Sequence, residues 1–194
     1  MDNCIIDLHY LPCIAYFEVI KQYKKVIFDI GENYQKQTYR NRCQILTAQK
    51  KLNLSIPILH QLPKMPFKDI KIDYQQKWQR THWRTIVTNY AKSPFFIHYE
   101  HYFEKIFENQ YEFLYQWNLD LFKICIQILK IPIEIEVSDV YIKNIEAQTK
   151  DLRNNIIAKK TQEISQKPYL QVFGNEFVPN LSIIDLIFCE NKLD

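Results

Sequence analysis

Three consecutive apolar residues, Val26-Ile27-Phe28, set the tightest limit on how this chain can fold. A strand with one wet face alternates polar and apolar residues, whereas an unbroken apolar run needs cover on both faces. Upstream, Cys4 to Tyr10 reads as another strand, with Cys4, Ile6, Leu8 and Tyr10 on one face and Ile5, Asp7 and His9 on the other. Pro12 ends it, and Ile14 to Tyr23 carries Ile14, Phe17 and Ile20 at near-helical spacing. The apolar run then falls in a second strand, Val26 to Ile30. Strand, helix and strand within about 27 residues make a short βαβ unit.

The stretch after that strand is dense in hydrogen-bonding heads: Glu32-Asn33-Tyr34-Gln35-Lys36-Gln37-Thr38-Tyr39-Arg40-Asn41-Arg42. A connecting loop needs turn residues, not this many amides, hydroxyls and guanidiniums. In open α/β sheets ligands gather where strands end, so the stretch reads as a ligand site. Asp29, beside Gly31, is either part of it or a turn former. The chain has only two glycines, which argues against a glycine-rich phosphate loop.

Thr38 to Leu46 and Lys51 to Ile58 alternate as the arms of a β-hairpin. On the first arm Tyr39, Asn41, Cys43 and Ile45 share the apolar face, and Thr38, Arg40, Arg42 and Gln44 share the other. Asn41 is therefore a structural clamp or a site residue. Arg40 and Arg42 project together, as a solvated face or as a grip on phosphate or carboxylate.

Lys68 to Ile72 reads as a short strand, followed by a helix from about Gln75 to Ala91. Trp83, Ile86, Val87 and Tyr90 form its apolar stripe; Trp78, His82, Thr85 and Asn89 form a second stripe, which packs under the polar loop or walls a ring-shaped ligand. Ser93-Pro94 reads as the N-cap and first position of a helix running to about Phe107. His98 and His101 on it lack a third metal ligand, so no metal site is expected. A longer helix spans Gln110 to Lys130, and Ile131 to Val137 alternates as a half-buried strand. Glu146 to Ser165 is polar, part helix or part lid over a site; Tyr169 to Phe173 reads as a strand. In the last helix Ser182 and Asp185 fit a capping box. The fold expected is α/β (or α+β), one domain over residues 1–194, with a short βαβ start, a β-hairpin and a central group of helices.

A net charge of +3, mixed over many Lys and Glu, does not suit nucleic acid. Five scattered cysteines without a C-x-x-C pair fit reduced thiols in the cytoplasm. No signal peptide is apparent, and no apolar run approaches the roughly 20 residues of a membrane span.

Taken together, several motifs resemble the WbqC-like bacterial family. They are Pro12 with Ala15-Tyr16-Phe17, the whole stretch from Glu32 to Arg42, Trp78 with His82-Trp83, and Tyr90 with Ser93-Pro94-Phe95-Phe96. Asp151-Leu152-Arg153, Tyr169 to Phe173 and Pro179 to Leu186 complete the likeness, which spans nearly the whole chain. Many relatives carry Gln-Pro where His9-Tyr10 stands, Gly where Ala15 stands, and an acidic-Gly-Pro turn where Cys189-Glu190-Asn191 stands. The family name implies a role in making O-antigen and related surface polysaccharides.

The expected function is a cytoplasmic transferase of that biosynthesis, acting on a sugar nucleotide or amino sugar, or on its acyl donor. Asn33, Gln35, Lys36, Asn41 and Arg42 would hold a small phosphate- or carboxylate-bearing ligand, with Trp78 stacking on a ring. His82 or His9 would be the general base. The sequence names no cofactor. The alternative is a non-catalytic ligand-binding or scaffold protein of the same pathway, since no nucleophile motif stands out. A nucleotidyltransferase-like enzyme ranks below both, because the paired His motif is missing from the end of the first strand.

Overall fold

The computed structural model describes residues 2–60, 62–157, 166–174 and 176–193. Strand β1 (Asn3–Ile6) lies parallel to β2 (Lys25–Asp29), with helix α1 (Ile14–Ile20) joining them. This is the expected βαβ unit. Two later strands, β5 (Glu134–Ser138) beside β2 and β6 (Thr149–Asp151) beside β1, complete a parallel sheet in the order β5-β2-β1-β6. Val26, Ile27 and Phe28 are 0%, 8% and 0% exposed, so both faces of β2 are covered, as an unbroken apolar run requires.

Strands β3 (Arg42–Leu46) and β4 (Lys51–Ser55) form the hairpin, with Arg42 opposite Ser55 and Leu46 opposite Lys51. Thr47 closes its turn: its hydroxyl donates to the Lys50 carbonyl at 2.7 Å and accepts from the Gln49 and Lys50 N–H groups. The helical layer consists of α2 (Trp78–Tyr90), α3 (Phe96–Glu108), α4 (Leu114–Ile128) and α5 (Ile183–Cys189). Phe122 of α4 joins it to the sheet, with its ring 5.0 Å from Phe28 and 5.7 Å from Phe17. Phe188 of α5 meets Tyr90, Phe96 and Phe103. The result is a mixed α/β fold around one core.

Several boundaries differ from the sequence expectation, each for a physical reason. The first strand stops at Ile6 instead of Tyr10, because Asp7 turns inward to an arginine and to the Asn154 N–H group at 2.8 Å. The first hairpin arm starts at Arg42, not Thr38. Thr38 closes a turn onto the Gln35 carbonyl at 2.8 Å, and Gln37 is left-handed at φ 60°. Phe67–Asp69 is a 3-10 turn in place of the expected strand. Ser93 does not cap α3; its hydroxyl donates back to the Tyr90 carbonyl at 2.6 Å. Tyr169 to Phe173 joins no sheet among the described residues. Tyr169 and Gln171 instead donate to the buried Asp185 carboxylate, as Tyr90 does.

The capping box at α5 is likewise absent. Ser182 donates to the Leu11 carbonyl at 2.9 Å, so both its hydroxyl and Asp185 serve long-range contacts. α5 is closed by Asn191 at φ 56°, a left-handed role that asparagine tolerates better than most residues. Of the polar segment Glu146 to Ser165, β6 and the turn after it are described; residues 158–165, and with them much of the expected lid or helix, lie outside the described residues.

Gly31 shows what holds the strand end in place. A Cβ there would lie 2.3 Å from the Tyr141 nitrogen and 2.5 Å from the Val140 carbonyl carbon, so only glycine admits this backbone. Gly31→Ala is expected to destabilise the fold by about 2 kcal/mol and to speed amide exchange at Ile142, whose N–H bonds to Asp29 at 3.0 Å. Denaturant unfolding and hydrogen exchange check this; wild-type stability would contradict it.

Candidate functional site

The polar stretch after β2 is laid out by backbone pairing. Phe67 N–H donates to the Glu32 carbonyl at 2.8 Å, and Tyr34 N–H to the Met65 carbonyl at 2.9 Å. This seats the Tyr34 ring on Phe67, with centroids 6.1 Å apart. Past the Thr38 turn the chain runs into β3. The Asn41 carbonyl accepts from Ile56 N–H at 2.8 Å, and its side-chain amide donates to the Ile56 carbonyl at 2.9 Å. Asn41 is thus a structural clamp, and the hairpin exit at Ile58–His60 is drawn alongside Tyr34 and Lys36.

Between these segments lies a cavity of about 380 Å³, walled by Tyr34, Lys36, Asn41, Arg42 and His60 over the apolar Ile58 and Leu59. Three buried polar atoms on its wall have no partner among the described residues: the Tyr34 hydroxyl, Asn41 Oδ1 and Arg42 Nε. A buried polar atom without a hydrogen bond costs on the order of 1–3 kcal/mol, so three around one cavity mark a place built for a polar guest. Neither Lys36 nor Arg42 takes part in a salt bridge among the described residues. Burial pushes the Tyr34 hydroxyl up to about 12, against the opposing pull of Arg40 and Arg42, so it remains a neutral donor.

Of the residues singled out from sequence, Lys36, Asn41 and Arg42 come together here. Asn33 and Gln35 are exposed on the same loop but do not line the cavity. Trp78 is buried against Trp117, with rings 5.0 Å apart, and offers no open face for a ligand ring. His82 is also buried; its Nδ1 lies 3.1 Å from the Tyr10 hydroxyl, and burial lowers its pKa to about 4. His9 is buried between the Tyr16 and Tyr39 rings, with Nε2 3.7 Å from Asp7, and burial lowers its pKa as well. Neither histidine lines the cavity. Tyr34 lies within the stretch read as a ligand site without being named as a contact, and His60 is a wall residue that sequence reasoning misses. No local pattern marks His60: the hairpin pairing ends where Ile56 N–H bonds to the Asn41 carbonyl, and beyond it Leu59 N–H bonds to the Lys71 carbonyl at 3.0 Å.

Behind the cavity, at the C-terminal ends of β1 and β2, sits a closed network of charge. Arg40 is fully buried, not projecting beside Arg42. Its guanidinium donates to Asp7 at 2.7 Å and makes a second, very close ion pair with Glu32. Asn118 donates to the Arg40 carbonyl at 2.7 Å, so backbone and side chain are both held. Beside it, Arg153 bridges Asp29 at 2.7 Å and Asp151 at 2.8 Å. Burial works against the Asp7 charge, but the nearby His9 and the Arg40 charge prevail and hold its carboxyl at about 2. Glu32 shares the same arginine. There burial outweighs Arg40's pull, Asp7 adds repulsion, and its carboxyl is raised to about 7. The network locks the segment whose next two residues, Asn41 and Arg42, face the ligand space.

Among the described residues no helix is long and apolar enough to cross a membrane. In comparison with known proteins, the WbqC-like protein family matches residues 8–161, a span that includes the cavity wall, all of the charge network but Asp7, and α2. No curated protein and no solved structure matches the chain.

Proposed function

The chain belongs to the WbqC-like protein family, and from that premise and the cavity beside Arg42 we propose that it is a transferase of bacterial surface-polysaccharide (O-antigen-type) biosynthesis. It takes a small phosphate- or carboxylate-bearing molecule, not nucleic acid, and works in the cytoplasm, a setting that suits its five free, buried cysteines. The observation that carries this reading is the convergence of three unpartnered buried polar atoms with the cations of Lys36 and Arg42. Arg42 and Lys36 hold the anion, Asn41 Oδ1 accepts from a ligand hydroxyl or amine, and Tyr34 donates. His60 is the imidazole on the wall and takes the general-base role assigned from sequence to His82 or His9.

A second reading, binding without turnover, is favoured by one observation: among the described residues no carboxylate lines the cavity, and two of the chain's histidines are locked in the core. Phosphate and acetate titrations of wild type and Arg42→Ala test the shared part. Arg42→Ala is expected to weaken anion binding roughly 10- to 100-fold, the loss of one charge-assisted contact, with the fold intact because Arg42 is only half-buried. Equal binding by both proteins would refute the site. His60→Gln then separates the readings: a catalyst loses turnover of a sugar nucleotide or acyl donor and keeps binding, whereas a binding protein shows no turnover in either form.

A further inference from the structure

The cavity has a neighbour. On the other side of Tyr34 and Lys36 lies a second hollow of about 370 Å³, walled by Leu62, Pro63, Lys64 and Met65. Each hollow alone is at the low end of the roughly 300–1,000 Å³ of small-molecule sites; together they suit a larger, two-part ligand. The charges are distributed in the same way. Arg42 stands in the first hollow, Lys64 in the second, and Lys36 on the wall between them, with no Asp or Glu among the described residues of either lining. A single carboxylate or monophosphate would leave part of this charge unmatched, and uncompensated like charges repel.

Lys64 has a further peculiarity. It is held left-handed at φ 60°, where glycine or asparagine would sit at lower cost. Gln37, on the first lining, is also left-handed at φ 60°. The recognition is one-sided as well: donors and cations dominate, and the unpartnered Asn41 Oδ1, on a residue 8% exposed, is an acceptor on the wall of the first hollow. That pattern suits a guest with many acceptor oxygens and one nearby hydroxyl or amine.

We propose that the two hollows form one site for a diphosphate-bearing small molecule, with its phosphoryl groups spread along Arg42, Lys36 and Lys64 and an organic group resting on the Leu62–Met65 wall. This rests on the anion-binding reading above and deepens it, choosing phosphate over carboxylate and two phosphoryl groups over one.

Calorimetric titration with inorganic phosphate, pyrophosphate, uridine and uridine diphosphate tests it on wild type, Lys64→Gln and Arg42→Ala. Pyrophosphate is expected to bind at least tenfold tighter than phosphate, and uridine diphosphate at least as tightly as pyrophosphate. Lys64→Gln, on an exposed side chain, should weaken both diphosphates roughly fivefold, on the order of one partly screened charge contact, and leave phosphate unchanged. Equal affinity for phosphate and pyrophosphate, with Lys64→Gln neutral, overturns the diphosphate proposal while Arg42-dependent phosphate binding keeps the anion site. If no anion binds and Arg42→Ala changes nothing, both readings fall.

Discussion

Arg40→Leu is expected to lower stability by about 3–5 kcal/mol at neutral pH, the usual cost of removing one partner from a buried ion pair. Folded domains hold only about 5–15 kcal/mol in reserve, so the variant should be barely folded. The guanidinium is the shared partner of Asp7 and Glu32 and is fully buried. Without it, two carboxyls face each other in a dry interior, and the Asp7 charge loses its compensation. Arg40→Lys should rescue only part of the loss, since one ammonium cannot reproduce the Nε and NH2 contacts that now reach Glu32 and Asp7. Adding Asp7→Asn and Glu32→Gln to Arg40→Leu removes the stranded charges and should restore more than Lys does. Urea unfolding ranks these variants; an Arg40→Leu protein within 1 kcal/mol of wild type, on the scale of an exposed pair, would show that the network is ornamental.

The second large effect is masked in the wild type by groups of opposite sign. Glu32 has a folded pKa of about 7 against an ordinary 4.5, so over that window the folded state holds more protons and stability falls as pH rises. His82 has a folded pKa of about 4 against an ordinary 6.5, so the unfolded state holds more protons and stability rises with pH. Each amounts to on the order of 3 kcal/mol, with opposite sign, over nearly the same window. Buried His9 adds in the direction of His82. Wild-type stability should therefore rise between pH 5 and 6.5, but less steeply than the two histidines alone would make it, because Glu32 opposes them. Below that, Asp7 takes over: its folded pKa of about 2 lies under the ordinary 3.8, so its contribution is lost as the medium acidifies through that range. Glu32→Gln should expose both histidines and steepen the rise by about 3 kcal/mol between pH 4.5 and 7. His82→Gln should flatten the rise, leaving His9 alone against Glu32. Unfolding curves at four pH values decide it, and parallel profiles for the three proteins would contradict the opposition of Glu32 and the histidines.

Local chemistry makes part of this structure legible in advance. The unbroken Val26-Ile27-Phe28 run calls for a doubly covered strand, and Leu52 and Leu54 alternate with exposed neighbours as a hairpin arm should. Periodicity locates the helices, to within a few residues at their ends. The alternation of β3, extended back through Thr38, misplaces Arg40, because the left-handed Gln37 and the Thr38 turn break the period. Nothing local could reveal that Arg40 pairs with Asp7, from another strand end, as well as with Glu32. His82 and Trp78 do lie on a second face of α2. That face is not open, because Tyr10 and Trp117 close over it from widely separated parts of the chain. A helix covered on two sides shows two stripes, and periodicity alone cannot tell a lined pocket from a second packing surface. In the site itself, donor density locates Lys36, Asn41 and Arg42, while His60 is placed by the pairing of Ile58 and Leu59 with Ile72 and Lys71, which no local pattern announces.

The position of β1 also dictates how the protein can assemble. It is an interior strand, yet its two neighbours come from residues 25–28 and 149–151. One edge can zip locally, whereas the other must wait for more than a hundred residues to be synthesised and arranged. Loop closure of that span is slow, and an unpaired apolar edge invites wrong partners meanwhile. Refolding should show a late phase in which Asn154 docks on Asp7. Asp7 can meet Arg40 early, whereas the Asp29 carboxylate at the neighbouring strand end would gain Arg153 only in that late phase.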